Sequence, residues 1–312
     1  KHRAYDLKQM QSVPLAGKIL MTKERIRQWY EHWEGQVYVS FSGGKDSTVL
    51  KHVVDSIYTD VPAVFVNTGL EYPEIQKFVR DVKAGKWDCF NTDVDIIRPQ
   101  MRFDDVIKTY GYPVVSKSVA RTIHYARISE KQGKESIYIQ QLKGEALDRS
   151  GRVSLYNKKK WAYLLDAPFS IHSACCDVMK KRPIHAYEKQ TIRKPIVGTL
   201  ATESLNRYSQ WIKNGCNAFD SDKPRSAPLS FWTDQDVLQY IKEYNVPYCP
   251  VYGEIVYTDA DGFEYGQTLT GDGVLTTTGC DRTGCIFCMF GCHLEKEPNR
   301  FQRLKQTHPP PD

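Results

Sequence analysis

An α/β fold, a mostly parallel twisted sheet with helices on both faces, is what the sequence predicts for this 312-residue chain. Three observations carry that expectation. Short apolar runs alternate with stretches of helical periodicity. The runs recur at roughly 25–30 residues, the length of a strand, a crossover helix and their loops. The first run leads straight into a glycine turn and a helix start, Ser42-Gly43-Gly44-Lys45-Asp46-Ser47.

The elements follow in order. Residues 1–35 read as a helical lead-in, with Thr22 placed to cap a helix through Trp33. Val37–Phe41 is the first buried strand and Ser47–Ile57 the helix after it. Ala63–Asn67 is the second strand, followed by a turn and a helix over Glu74–Lys83. Val94–Arg98 is the third, ending before Pro99. From Tyr110 to Lys160 the pattern is helical and polar, with no clear strand. Pro195–Thr199 returns to a buried strand, and Glu203–Asn214 reads as a helix. So does Thr233–Tyr244, with Thr233 as cap and Asp236 completing a capping box. Ile255–Leu269 looks like a hairpin turning at Asp259-Ala260-Asp261-Gly262. The basic tail ends in Pro309-Pro310-Pro311-Asp312 and is expected to fray.

The turn after the first strand has the make-up of a phosphate cradle. Its glycines let the backbone bend sharply and aim successive N–H groups inward, and the helix start adds partial positive charge. Ser40, Ser42, Gly43, Gly44, Lys45, Asp46, Ser47 and Thr48 are the candidate binding residues. Lys45 offers a point charge, and the serines and Thr48 offer hydroxyls. Asp46 either caps the helix or holds Mg²⁺. Asn67, Thr68 and Gly69 follow the second strand, at the carboxyl edge of the sheet, where an adenine or ribose would meet the backbone. The loop is not a Walker A loop, because G-x-x-x-x-G-K-S/T is absent.

Composition sets bounds. Hydrophobic residues make up 41% and charged residues 26%, ordinary for a soluble globular protein. No apolar run approaches the about 18 residues of a membrane span. Lys1-His2-Arg3 opens no apolar signal segment, so a cytoplasmic location with no membrane partner is expected. The net charge of +6, from 43 Lys+Arg against 37 Asp+Glu, suits an anionic ligand and is too small to establish nucleic-acid binding. Basic clusters at Lys158-Lys159-Lys160, Lys180-Lys181-Arg182 and Arg193-Lys194 leave a nucleic-acid acceptor open.

Nine cysteines without a secretion signal point to metal or redox chemistry before disulfides. Cys175-Cys176 stand side by side, and Gly279–His293 carries Cys280, Cys285, Cys288 and Cys292. A Cys-x-x-Cys turn lets two thiolates converge, and a distant pair then completes the set. The spacing allows zinc or iron–sulfur. Adjacent cysteines fit a zinc ribbon awkwardly, which favours a 4Fe-4S cluster. Cys280 and Cys292 read as further ligands, sulfur carriers or core residues. Cys89, Cys216 and Cys249 stand alone and read as packing residues.

The quoted residues carry a resemblance. Ser42–Ser47 matches the Ser-Gly-Gly-x-Asp-Ser signature of the PP-loop ATP pyrophosphatases, which split ATP between the α and β phosphates. Cys175-Cys176 with the distant Cys285-Ile286-Phe287-Cys288 resembles the cluster signature of adenylylsulfate reductases. Gly198–Arg207 is similar to the segment G-x-R-x-x-E-S-x-x-R, with Leu200 where an arginine is usual. Pro228–Val237 and Val246–Tyr252 are similar to P-x-x-x-W-T-x-x-D-V and I-P-Y-x-P-x-Y. The chain thus resembles the PAPS reductase family, within the adenine-nucleotide α-hydrolase superfamily, over most of its length.

That resemblance implies ATP and Mg²⁺ at the loop, with Lys45, Asp46 and Arg207 as catalytic residues. It implies Cys175, Cys176, Cys285 and Cys288 as cluster ligands, in a segment packed back near the nucleotide site. The expected segments are a lead-in at 1–35, a nucleotide-binding α/β domain at 36–250, and a hairpin with the Cys-rich part at 251–312. An intact loop favours ATP as substrate, hence an ATP-dependent sulfurtransferase served by a sulfur donor such as a cysteine desulfurase. The alternative is a sulfite-releasing reductase served by thioredoxin. Reductases of this kind carry a near-terminal Glu-Cys-Gly-Ile/Leu-His, which Cys292-His293-Leu294-Glu295 echoes only loosely; such a tail would lie past Asp312. A third reading is a non-catalytic nucleotide-binding subunit. A homodimer is compatible with all three.

Overall fold

The computed structural model describes residues 2–258, 264–265, 273–280 and 282–309. The chain sorts into two compact units, each assembled from separate stretches. The first comprises Lys1–Asn67, Glu71–Ile97 and His185–Thr283; the second comprises Thr68–Leu70, Arg98–Ile184 and Gly284–Asp312.

The first unit is organised by a six-stranded sheet. Its strands are β1 (Val37–Ser40), β2 (Ala63–Val66), β3 (Val94–Ile97), β4 (Lys194–Val197), β5 (Asn217–Ala218) and β6 (Arg225–Ser226). Their order is β3-β2-β1-β4-β6-β5, and every neighbouring pair is parallel except β5 with β6. The apolar run Val37-Tyr38-Val39 is fully buried, as a central parallel strand requires. The helix Lys45–Asp55 follows β1 and buries Val49, Leu50, Val53 and Val54. Each such side chain contributes about 1.5–3 kcal/mol relative to exposure. The strands that the alternating pattern predicts are all present, and β1 and β4 end side by side, Ser40 opposite Val197.

One expected boundary is corrected. Thr22 does not start a helix; it lies inside the helix Leu15–His32. Leu15, Ile19, Thr22, Ile26 and Trp29 form one buried stripe at helical spacing, so the helix runs through from Pro14. The Thr22 hydroxyl accepts a hydrogen bond from Trp232 Nε1 at 2.9 Å and donates to the Pro228 carbonyl at 3.3 Å. Thr233 does cap its helix, Asp234–Glu243, in a capping box with Asp236. Asp236 also receives Lys18 Nζ at 2.7 Å in a buried ion pair.

A second, three-stranded sheet joins β7 (Ile255–Thr258), β8 (Glu264–Tyr265) and β9 (Val274–Thr277), with β7 antiparallel to both others. The expected turn at Asp259–Gly262 and the end of the tail beyond Pro309 lie outside the described residues.

The second unit is helical, as the Tyr110–Lys160 pattern predicts. Helices Lys117–Lys131 and Ile137–Lys143 and a 3-10 helix, Lys159–Asp166, enclose Val119, Ile123, Ile139, Leu142 and Leu164. Arg127 ties them together by donating to the carbonyls of Leu164, Leu165, Ala167 and Phe169 at 2.7–3.0 Å. A smaller cluster gathers Leu70, Val106, Ala174, Cys175, Val178 and Met179. Among the described residues no helix is long and apolar enough to cross a membrane.

Candidate functional site

A cavity of about 540 Å³ opens where β1 and β4 end. Its wall includes Ser40, Ser42, Gly44, Lys45, Asp46, Ser47 and Arg207, all expected from sequence. Gly43 holds the turn at φ +72°, a left-handed conformation that a side chain disfavours, and a Cβ there would press on Ile75 and Val79 at 3.0 Å.

The two serines brace this loop. Ser47 Oγ donates to the Gly44 carbonyl at 2.9 Å and accepts from Ser42 N at 3.1 Å. Ser42 Oγ lies 2.9 Å from Ser47 Oγ and accepts from Gly44 N at 3.3 Å. With the Ser47 proton committed to Gly44, Ser42 is the donor between the two hydroxyls. The helix start itself carries no side-chain cap; Lys45 N donates to the Tyr252 hydroxyl at 3.2 Å. Burial pushes the Tyr252 phenol up to about 12, so it stays protonated, and its oxygen lies 2.8 Å from Thr283 Oγ1.

Among the described residues, six charged side chains line the cavity: Lys45, Arg207 and Arg282 against Asp46, Glu203 and Asp234. Lys45 Nζ is 3.6 Å from Asp234. Glu203 pairs with Arg207 and, at 2.7 Å, with Arg282, while its other oxygen accepts from Leu200 N at 2.9 Å. Burial, opposed by Lys45 and reinforced by Asp234, raises the Asp46 carboxyl above its ordinary value. Asp46 Oδ1 is buried without a hydrogen-bond partner. An orphaned carboxylate oxygen is costly, and it fits a site completed by a cation or a bound donor.

Other expected residues fall elsewhere. Thr48 is fully buried behind the loop. Asn67, Thr68 and Gly69 do not line this cavity; Asn67 N donates to the Ile97 carbonyl and Thr68 Oγ1 accepts from Leu70 N. Leu200, where an arginine was the expected pattern, is fully buried. Sequence reading passed over Asp234, Tyr252, Arg282 and Thr283 as cavity residues. Asp234 and Tyr252 sit inside the two segments, Pro228–Val237 and Val246–Tyr252, that resemble the family pattern, which was the available signal.

The four expected cluster cysteines all belong to the second unit. Cys175 is buried and the other three are half-buried. Burial, then the neighbouring charges of Cys176, Cys285 and Cys288, pushes the Cys175 thiol up to about 12. Cys176, Cys285 and Cys288 thus each lie near enough to Cys175 to act on its charge. Among the described residues no three His, Cys, Asp or Glu side chains form a site for a metal ion. A single ion needs its ligands drawn to one point, whereas a four-iron cube takes thiolates at separate corners. Cys292 and Cys288 both lie near Arg300, and Cys280, in the first unit, neighbours the buried Cys249. Cys216 is buried as expected of a packing residue; Cys89 is not, being exposed at the surface.

A parallel sheet with an uncapped helix start, a glycine turn and a cavity lined by paired charges at its carboxyl edge defines an α/β protein of the PP-loop type. The chain belongs to the phosphoadenosine phosphosulfate reductase domain family, whose profile matches residues 36–131 and 142–290. It is 21% identical over 232 residues to a phosphoadenosine 5'-phosphosulfate reductase of Alkalilimnicola ehrlichii, covering 74% of this chain and 71% of that protein. It is 23% identical over 233 residues to sulfate adenylyltransferase subunit 2 of Agrobacterium fabrum, covering 71% of this chain and 59% of the relative. A shorter match, 38% identical over 90 residues, joins 28% of this chain to 18% of an uncharacterised Methanocaldococcus jannaschii protein. Among solved structures, a phosphate complex of the Candida auris phosphoadenylyl-sulfate reductase aligns with a TM-score of 0.42 at 14% identity, over 80% of this chain and 91% of that one.

Proposed function

We propose that the chain is an ATP-dependent sulfurtransferase that adenylates its acceptor. The observation that carries this reading is the buried, partnerless Asp46 oxygen beside an intact Ser-Gly-Gly-Lys-Asp-Ser loop, faced by three cations. The phosphates of ATP would rest on the helix start and the loop amides. An acceptor oxygen attacks the α-phosphorus, the bond to the α–β bridging oxygen breaks, and pyrophosphate leaves. Lys45, Arg207 and Arg282 face the charge that builds on the departing group, so positioning and electrostatics supply the catalysis. Glu203 holds the two arginines in register. A sulfur nucleophile then displaces AMP from the adenylated acceptor. Asp46 would hold Mg²⁺, which neutralises phosphate charge. Cys175, Cys176, Cys285 and Cys288 would hold a 4Fe-4S cluster, which offers a binding place for the transferred sulfur.

A reductase acting on phosphoadenosine phosphosulfate, with thioredoxin as donor, is the second reading, and the family profile favours it. One experiment separates them. Anaerobic, iron-reconstituted protein is given Mg·ATP, or phosphoadenosine phosphosulfate with reduced thioredoxin. Consumption of ATP to AMP supports the first reading; sulfite release from the second substrate replaces it.

A further inference from the structure

The net positive charge of the chain resides in its second unit. Thr68–Leu70, Arg98–Ile184 and Gly284–Asp312 hold 21 Lys and Arg against 11 Asp and Glu; the first unit holds 22 against 26. Catalysis at a PP-loop in the first unit gives no reason for that segregation. A unit at +10 attached to one at −4 is the charge pattern of a polyanion-binding module.

The same unit exposes aromatic rings among its cations. Tyr156 is 79% and Tyr163 63% exposed. Lys160 sits over the Trp161 ring at 5.1 Å, and Arg121 over Tyr125 at 5.7 Å. Tyr125 in turn stacks on Tyr138 at 5.0 Å. This is a built surface, not a loose loop. Lys158 N donates to the Gln141 carbonyl at 2.7 Å, and the Asn157 amide donates to the carbonyls of Gly144 and Ala146 at 3.0 and 3.1 Å. Arg127 clamps the 3-10 helix that carries Lys160, Trp161 and Tyr163.

We infer that this unit binds RNA at an unpaired loop or end. Cations track a phosphodiester chain, and exposed rings stack on bases, which only unpaired bases permit. RNA presents unpaired bases in its folded state, whereas duplex DNA must first be opened. The role of RNA as sulfur acceptor rests on the function proposed above; the binding itself does not, so the two fail separately.

The test is fluorescence anisotropy, without ATP, using a labelled RNA hairpin with an unpaired loop, the same stem as a blunt RNA duplex, the DNA form of each, and phosphatidylglycerol vesicles. The expected result is at least tenfold tighter binding of the looped RNA than of the duplex, weakening steeply with salt. Tyr156→Ala and Tyr163→Ala should each lose about fivefold or more, and a Lys159→Glu/Lys160→Glu variant should flatten the salt dependence. All these side chains are exposed, and an unchanged melting temperature confirms that the variants fold. Equal binding of loop and duplex, tighter binding of DNA, binding of vesicles alone, or tyrosine variants that bind like the parent would overturn the inference.

Discussion

Gly198, just past the end of β4, packs directly on the backbone of Asp46 in the PP-loop: a Cβ on Gly198 would lie 2.9 Å from the Asp46 carbonyl oxygen and 3.1 Å from its carbonyl carbon. Neither atom can swing aside as a side chain would. The loop is therefore set against the neighbouring strand by the absence of one methyl group.

Gly198→Ala should displace the loop, costing about 1–3 kcal/mol of stability as overpacking does. ATP turnover should fall far more than the melting temperature suggests, because a misplaced loop costs geometry as well as stability. Urea unfolding beside steady-state kinetics checks both.

The buried pair of Lys18 and Asp236 joins the lead-in helix to the helix at Thr233. Lys18→Met leaves a buried carboxylate with its cation removed and should cost about 3–5 kcal/mol. The double change Lys18→Met/Asp236→Leu should recover part of that loss, because no lone charge then remains. Denaturant midpoints of the three variants and the parent decide it.

His52, half-buried and hydrogen-bonded to the Tyr240 hydroxyl at 2.8 Å, has its imidazole held below the usual histidine value, first by burial and then by Lys23. The unfolded chain takes up this proton first as pH falls. Stability is therefore full above about pH 6.5 and declines below it, until the folded form also protonates. Urea midpoints from pH 7.5 to 5.5 should fall in the parent and fall less in His52→Gln.

Much of the fold was legible because buried parallel strands are apolar runs and the glycine turn between β1 and its helix has few structural alternatives. Thr22 misled because a cap and a buried hydroxyl in mid-helix look alike in sequence; only Trp232, some two hundred positions away, distinguishes them. The loop residues of the cavity were legible as a motif. Arg282 and Thr283 were not, because they enter from a segment read for its cysteines, and their place depends on the fold around Tyr252. Asn67, Thr68 and Gly69 were read from their position after a strand, but that position alone does not set which way the chain turns.

Anaerobic reconstitution should load about four irons per chain if Cys175, Cys176, Cys285 and Cys288 hold a cluster. Cys175→Ser or Cys285→Ser should lower the iron content, and removing the iron should lower the melting temperature, because ligands from separate stretches are tied together. Iron analysis and calorimetry read this directly, and full iron loading in both variants would rule the ligand set out.

The central claim is that the loop at Ser42–Ser47 holds ATP for cleavage between its α and β phosphates. Phosphorus NMR of the products formed from Mg·ATP by iron-loaded protein, with an RNA acceptor and a sulfur donor present, tests it most directly. The account predicts AMP and pyrophosphate in equal amounts from the parent and at least a hundredfold slower formation with Lys45→Ala. ADP and phosphate as products, or equal rates from parent and variant, would contradict it.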